Sequence, residues 1–249
     1  MDLKILSSSS AGNCYVLDNG KEALVIEAGV SFSEVKKAVD FDISRIVGCL
    51  ISHEHGDHAK HYRAFTDCRI AVIGSRGTIE ALETMTEYRS SFLRGCDCMT
   101  EFSLGSFICM AFPVKHDAAE PVGFLICNPN TGTVLFATDT YYLEYTFAGL
   151  NNILIECNYR LDVLETNVEA GIVPKAQRDR TLQSHMSFHT CRDTLLANDL
   201  RAVNNIVLIH LSNDNSNAAE FQRGIASATG KTVHVADKGM VLSFNKYPF

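Results

Sequence analysis

The sequence lacks any apolar run close to the roughly 20 residues that a membrane-spanning helix needs. Its N-terminus also lacks a basic segment followed by a continuous apolar stretch, so no secretory signal peptide is predicted. No Pro-rich or Ser-rich linker, low-complexity tract or short repeat interrupts the chain. These absences predict one cytoplasmic domain over residues 1–249, with no membrane partner. The chain also has enough apolar residues to bury a full core.

An excess of positive charge is also missing. Lys and Arg total 22 against 29 Asp and Glu, which gives a net charge of −7. This balance argues against tight non-specific binding of a polyanion over the whole surface. A local basic patch is one interpretation of Lys175, Arg178 and Arg180, with Arg160 upstream, and a solvated helix end or loop is the other.

Cysteines are present but show no pairing pattern. The nine cysteines are odd in number and scattered, and several lie in apolar runs such as residues 47–51. They are predicted to be reduced core thiols. Cys96 and Cys98 could ligate a soft metal, but no second pair accompanies them, which favours a structural role.

Short apolar segments alternate with segments of helical periodicity along the chain. The predicted strands are 3–6, 14–17, 23–26, 46–51, 106–114, 122–127, 133–138, 152–157 and 206–211, with two more before residue 244. The predicted helices are 33–39, 78–88, 161–170, 188–199 and 216–229. This alternation predicts an α/β (α+β) layered sandwich with helices outside two packed sheets, whose loops gather at one edge.

Four potential metal ligands lie within six residues, at His53, His55, Asp57 and His58. His53 and His55 alternate, so at a strand end they point the same way, and Gly56 lets the chain turn. A chance spacing of surface histidines is the alternative, and the inserted Asp and the third His disfavour it. Such a loop can serve two metals.

Three further potential ligands, His116, Asp139 and His210, lie at or just past the ends of predicted strands. Taken singly, either histidine is more typical of a core or loop residue. Each Zn²⁺ takes about four to five donors, and a carboxylate can bridge two ions. The predicted division gives His53, His55 and His116 to one ion, Asp57, His58 and His210 to the other, and Asp139 to both. Two divalent cations are therefore predicted, with Zn²⁺ favoured over Mn²⁺ or Fe.

The loop at residues 53–58 resembles the His-X-His-X-Asp-His hallmark of the metallo-β-lactamase fold hydrolases. Other segments resemble one branch of that family, the bacterial WalJ (YycJ) type. They are residues 7–14, 116–123, 137–140, 156–159 and 210–212. The resemblance covers nearly the whole chain and implies a four-layer αββα sandwich with two metals at its edge.

The resemblance also implies a phosphodiesterase, because WalJ-type proteins are described as DNA exonucleases and related branches cleave RNA or small cyclic phosphates. Only 22 residues separate His116 from Asp139, and 45 separate Asp139 from His185. These intervals leave no room for a cap domain or a long arm. The predicted function is a dinuclear phosphodiesterase acting on nucleic acid, and a small-molecule or cyclic-nucleotide phosphodiesterase is the alternative. A thioester or lactam hydrolase and a non-catalytic metal-binding module are less favoured.

Asp57 and His185 are the predicted catalytic residues. Two metals roughly 3.5–4 Å apart would lower the pKa of a bound water to about 7 and direct the hydroxide at phosphorus. His185 would protonate the departing alkoxide. The alternative for His185 is a cap of the helix at 188–199.

The chain departs from the family pattern at two places. Glu27 stands where the family usually has Asp, and its role stays open. The Gly-His-Leu-Ser of the WalJ type is here Ser184-His185-Met186-Ser187, in which the histidine survives.

Other polar residues near the ligands invite roles. Asp117 and Glu120 could accept hydrogen bonds from ligand imidazoles. Asn158, Asn213 and Asn215 could contact a phosphate or a base of the substrate. The remaining histidines, at 61, 189 and 234, are predicted to lie outside the metal site, although His189 could share a helix face with His185.

Overall fold

A computed structural model describes residues 1–248 and contains two seven-stranded sheets. In chain order the strands are β1 (Asp2–Ser9), β2 (Gly12–Asp18), β3 (Ala23–Ile26), β4 (Ile46–Leu50), β5 (Val72–Ser75), β6 (Leu93–Cys96), β7 (Glu101–Leu104), β8 (Phe107–Pro113), β9 (Val122–Asn128), β10 (Gly132–Ala137), β11 (Leu150–Glu156), β12 (Asn205–Ile209), β13 (Thr232–Val235) and β14 (Val241–Ser243). One sheet has the order β14, β1, β2, β3, β4, β5, β6, and the other has the order β13, β12, β11, β10, β9, β8, β7.

Strand direction determines where the loops that follow the strands meet. Strands β3 to β6 are parallel, as are β10 to β13. Strand β1 runs the same way as β3, and β8 the same way as β10, because each pair is separated by one antiparallel strand. Within each sheet the carboxyl ends of these strands therefore lie at one edge, which is where α/β proteins hold their ligands.

The helices cover the outer faces of the sheets. They are α1 (Phe32–Ala38), α2 (Gly56–Ala59), α3 (Tyr62–Asp67), α4 (Arg76–Thr86), α5 (Leu161–Glu169), α6 (Lys175–Ser184), α7 (Phe188–Ala197) and α8 (Ala218–Thr229). A single 3₁₀ turn, Ile43–Arg45, precedes β4. The five helices predicted from sequence are confirmed to within two residues at either end.

Alternation along β2 builds two layers of core at once. Tyr15 and Leu17 pack between the sheets, whereas Cys14 and Val16 pack against the outer helices. A third cluster lies between the other sheet and α7 and α8. Each fully buried Leu, Ile or Phe contributes about 1.5–3 kcal/mol. Strands buried on both faces read as continuous apolar runs. The two sheets and the helices on their outer faces form the four-layer αββα sandwich that was predicted.

Several elements escaped the sequence prediction for local reasons. Strands β5, β6 and β7 have four residues each, of which no more than two are apolar, whereas β3 has the same length and is entirely apolar. Helix α6 is almost entirely polar apart from Ala176 and Leu182, so it shows no apolar periodicity. It packs instead on α5 through a small separate cluster that includes Leu164 and Leu182. The ambiguous segment 175–180 is therefore helical.

Two predictions from composition can be compared with the fold. In residues 1–248 no helix has both the length and the apolar character needed to span a bilayer. All nine cysteines are free, and five of them are buried, but the prediction of core thiols is wrong for Cys68 and Cys127, which are exposed. Neither Cys96 nor Cys98 belongs to a potential metal cluster among the described residues. The single-domain organisation of residues 1–249 stays a prediction.

Candidate metal centre

The seven side chains predicted as metal ligands lie together at the carboxyl-end edge of the sandwich. They follow strands β4, β8, β10 and β12, and they are His53, His55, Asp57, His58, His116, Asp139 and His210. The seven predicted ligands form two groups: one contains His53, His55 and His116, and the other contains Asp57, His58, Asp139 and His210. A third potential cluster shares Asp139 and His210 with the second group and adds Glu156 and His185.

In the first group, three imidazole nitrogens face one another. Nδ1 of His55 lies 3.0 Å from Nε2 of His53 and 3.2 Å from Nε2 of His116. Nδ1 of His116 donates to the carbonyl of Ser184 over 2.9 Å, which leaves a lone pair on its Nε2. Four tetrahedral bonds of about 2.0–2.1 Å would place neighbouring nitrogens about 3.4 Å apart. The spacing and the lone pair therefore fit a shared cation.

The second group contains a buried nitrogen without a partner. Nε2 of His210 has no hydrogen-bond partner within residues 1–248, although it lies 3.5 Å from Oδ2 of Asp57. The same carboxylate oxygen lies 3.2 Å from Nε2 of His58. An unsatisfied buried polar group costs about 1–3 kcal/mol. A cation between these ligand atoms would remove that cost, so this group also fits a metal ion.

Asp139 connects the two groups. Its Oδ2 lies 3.5 Å from Nε2 of both His58 and His116, and 3.9 Å from Nε2 of His53. Burial raises the pKa of this carboxyl, but the surrounding imidazoles outweigh burial and hold its pKa well below the usual range. The side chain is therefore ionised, which suits a ligand of a cation.

The backbone around the centre is unusual. Glu27, Asp139 and His210 have φ values of 68°, 45° and 54°, which is the left-handed region. Such a residue costs about 1–3 kcal/mol and typically occurs at functional sites. The backbone of Gly29 lies directly against the ligand loop, because a Cβ there would be 1.9 Å from the carbonyl oxygen of Asp57. Only glycine allows this approach.

Glu27, whose role the sequence left open, supports the ligand loop. Its buried carboxylate accepts from the backbone N–H of Ser52 over 3.3 Å, and Oε1 lies 3.5 Å from Nδ1 of His58. It thus lies against both ends of the loop that carries His53 to His58. Glu27 follows β3 directly, and its side chain, longer than the Asp usual in the family, reaches the loop from there.

Glu156 was missed as a functional residue. It ends strand β11 and is completely buried. Oε1 accepts from Nδ1 of His185 over 2.7 Å and from Nδ1 of His210 over 3.1 Å. Oε2 accepts from the backbone N–H groups of Met186 and Thr140. The sequence signal for Glu156 is a carboxylate at the last position of a strand that has no other charged residue. Asp139 has a comparable position after β10.

His185 follows α6 and faces the centre. Its ring centroid lies 5.6 Å from that of His116 and 5.4 Å from that of His210. Burial lowers the pKa of His185, but Glu156 outweighs burial and raises the pKa above its ordinary value. The helix-cap alternative is wrong, because Ser187 caps α7 by accepting from the backbone N–H of Thr190.

The carboxylates of Asp117 and Glu120 have different partners. Asp117 Oδ1 lies 3.3 Å from Nε2 of His116 and accepts from the Ser184 hydroxyl, while Oδ2 accepts from Arg180. Glu120 instead accepts from the backbone N–H of Gly77 over 2.6 Å, away from the ligand imidazoles.

The three asparagines lie on the His210 side of the centre. The amide of Asn158 donates to the carbonyl of His210 over 2.7 Å and so fixes the backbone of that ligand. Asn215, in the loop before α8, accepts from the side-chain amide of Asn167 on α5. Asn213 lines a separate cavity with Ser8. Contacts of these side chains to a substrate stay predictions.

The arginines that suggested a basic patch form ion pairs with carboxylates. Their partners are Asp162 and Glu220 for Arg160, Glu165 and Asp179 for Arg178, and Asp117 for Arg180. Arg160 and Arg178 each pair with two carboxylates, so the structure favours the solvated-helix interpretation for these two residues. Arg180 pairs with a single carboxylate, through its Nε.

The remaining histidines lie outside the potential metal clusters of the described residues, as predicted. His61 immediately precedes α3, and His234 lies on β13. His189 is exposed on α7, whereas His185 precedes that helix, so the two do not share a helix face.

The described geometry can be compared with known proteins. A family model described as a beta-lactamase superfamily domain matches residues 23–211. The chain belongs to the metallo-β-lactamase superfamily. It is a hydrolase of this superfamily with a candidate metal site, and the fold implies divalent metal ions.

Two relatives cover most of this metallo-β-lactamase chain. It is 28% identical over 233 residues to exodeoxyribonuclease YycJ of Bacillus anthracis, which covers 87% of this chain and 84% of the relative. It is 25% identical to exodeoxyribonuclease WalJ of Streptococcus pneumoniae, with coverage of 85% and 82%. Among solved structures, the metallo-beta-lactamase fold protein YhfI of Bacillus subtilis aligns with a TM-score of 0.73 at 15% identity, covering 97% of this chain and 98% of that one. The family resemblance predicted from sequence is confirmed.

Proposed function

We propose that this protein is a dinuclear metal-dependent phosphodiesterase that acts on nucleic acid as a DNA exonuclease. The observation that carries the proposal is the hydrogen-bonded pair of His185 and Glu156 beside the candidate metal centre. The names of the YycJ and WalJ relatives support DNA as the substrate.

The two groups of ligands provide imidazole and carboxylate donors, a set that suits Zn²⁺ and also accepts Mn²⁺ or Fe. We propose His53, His55 and His116 for one ion, Asp57, His58 and His210 for the other, and Asp139 between them. When bound, such ions activate a water molecule and neutralise phosphate charge. Asp57 and Asp139 would keep their carboxylates ionised for this purpose.

His185 is the proposed proton donor. Its Nδ1 donates to Glu156, so its Nε2 is the atom that can deliver a proton to the departing oxygen of the substrate. The side chain is 18% exposed, which leaves it open to a substrate. Because Glu156 raises the pKa of His185, the protonated form persists toward neutral pH.

Glu156→Gln is expected to lower turnover about 10- to 100-fold and to change its pH dependence. A proton donor works below its pKa, so kcat falls as pH rises through the pKa of His185. Without the Glu156 carboxylate, burial lowers that pKa, and the fall in kcat moves to lower pH. A pH profile of kcat for the variant and the wild type measures this shift. An unchanged profile would show that Glu156 does not control the protonation of His185.

A small cyclic or nucleotide phosphodiester is the alternative substrate, and thioesters and lactams are less favoured. A poor alkoxide leaving group needs a proton donor, and His185 can supply the proton, which favours phosphodiesters.

A substrate panel on metal-quantified protein tests the proposal. The panel comprises 5′-labelled duplex and single-stranded DNA, single-stranded RNA, cyclic nucleotides, bis(p-nitrophenyl) phosphate, a thioester and a β-lactam. We expect stepwise shortening of DNA at the highest kcat/KM. Hydrolysis of small diesters without any cleavage of polymers would reverse the order of the two phosphodiesterase candidates. Less than one equivalent of metal per chain, with no turnover, would favour a non-catalytic module instead.

A further inference from the structure

A groove of about 790 Å³ opens beside the candidate metal centre. His116 and Ser184 form one part of its wall, so the groove reaches the ligands themselves. Its volume lies within the range of about 300–1,000 Å³ that is typical of ligand clefts. Tyr141 and Arg180, neither of which has a role in the proposed proton transfer, also line it.

Tyr141 presents an aromatic ring at a fixed place in this groove. It follows Asp139 by two residues and is 42% exposed. Its backbone N–H donates to the carbonyl of Lys115, and the preceding residue, Thr140, donates from its backbone N–H to buried Glu156. The segment that carries the ring is therefore attached to the framework of the centre. The next residue, Tyr142, lines a different cavity.

Arg180 is held by one side of its guanidinium group. Its Nε donates to Oδ2 of Asp117 over 2.8 Å, and within residues 1–248 its two terminal nitrogens have no hydrogen-bond partner. A guanidinium group oriented in this way can present its remaining N–H groups to a phosphate.

We infer that this groove binds the unpaired end of a nucleic acid strand, with Tyr141 stacked on a base and Arg180 bound to a backbone phosphate next to the one that is cleaved. The inference deepens the proposed function and rests on it for the position of the scissile phosphate. An aromatic face accepts any unpaired base, and the phosphate contact follows the backbone. A small cyclic phosphate would place its only phosphate at the metals and leave Arg180 without a ligand.

Equilibrium binding tests the groove without turnover. The probe is a fluorescein-labelled single strand of ten thymidines with phosphorothioate linkages, and fluorescence anisotropy gives its Kd for the metal-loaded protein. Tyr141→Ala is expected to raise Kd about tenfold, the effect of losing one stacked base. Tyr141→Phe keeps the aromatic face and is expected to restore tight binding. Tyr142→Ala is the matched control and is expected to leave Kd unchanged.

Arg180→Ala is expected to raise Kd about fivefold or more. It is also expected to reduce the slope of log Kd against log salt concentration by the contribution of about one phosphate contact. Its matched control is Arg178→Ala, on the same helix but outside the groove. The unfolding midpoint of each variant in urea shows whether it is folded.

The results separate this inference from the proposed function. If the wild type shortens DNA but the folded Tyr141→Ala and Arg180→Ala proteins bind the probe as tightly as it does, the groove is not the strand site. If the wild type binds the probe through Tyr141 but hydrolyses no nucleic acid, the exonuclease proposal fails and the groove inference stands. No binding of the probe by the wild type overturns the groove inference, whatever the substrate panel gives.

Discussion

Asp139→Asn is expected to remove at least one of the two metal equivalents per chain and to lower turnover about 10³-fold. The substitution keeps the shape of the side chain and removes its negative charge. Oδ2 of Asp139 lies 3.5 Å from Nε2 of both His58 and His116, so both ligand groups lose the charge at once. A bridging carboxylate that contributes several kcal/mol of charge stabilisation corresponds to a change of about this size.

Metal analysis of the purified protein and kcat on labelled DNA measure the two parts of this result. Asp199→Asn is the matched control, because Asp199 is an exposed carboxylate that pairs with Arg201 and belongs to none of the potential metal clusters. The control is expected to retain two equivalents of metal and full turnover. An Asp139→Asn protein with both metals bound and normal turnover would exclude Asp139 as the bridging ligand.

His185→Ala is expected to lower kcat on DNA about 10²- to 10⁴-fold, the usual contribution of a general acid. The metal content is expected to stay at the wild-type level, since His185 bonds to Glu156 and is not one of the seven proposed ligands. This combination distinguishes loss of a proton donor from loss of the metal centre.

The leaving group gives a second test of His185. A p-nitrophenolate ion leaves without protonation, so His185→Ala is expected to slow bis(p-nitrophenyl) phosphate hydrolysis much less than DNA cleavage. His189→Ala, exposed on α7, is the matched control and should cleave DNA at the wild-type rate. Equal losses on both substrates would assign His185 a role in holding the site together.

The candidate ligands could be proposed from the sequence because their signal is local. Strands β4, β8, β10 and β12 each end in a segment that carries candidate ligands, and strand ends are visible as the last residue of an apolar run. Strands β8, β10 and β12 run the same way in one sheet, so the ends that carry His116, Asp139 and His210 share one edge of that sheet. The loop at 53–58 follows β4 in the other sheet, so its approach to these three ligands depends on how the two sheets pack. Strands β5, β6 and β7 and helix α6 could not be predicted, because each contains too few apolar residues to give a clear periodicity.

The supporting residues depend on pairings that the sequence does not encode locally. His185 and Glu156 are 29 residues apart, and Arg180 and Asp117 are 63 apart. Such pairs form only when α6 is held against the sheet edge by its packing on α5. The charges of these arginines alone suggested a basic patch, whereas the structure pairs Arg160 and Arg178 with two carboxylates each and Arg180 with only one.

The sequence by itself therefore determined the sandwich, the superfamily and the seven candidate ligands, because periodicity and ligand spacing are properties of neighbouring residues. Only the tertiary structure decided that buried Glu156 orients His185, that Glu27 supports the ligand loop, and that Tyr141 and Arg180 share a groove. The physical reason is that burial and hydrogen bonding between distant segments are set by how the layers pack, and no local pattern records that packing.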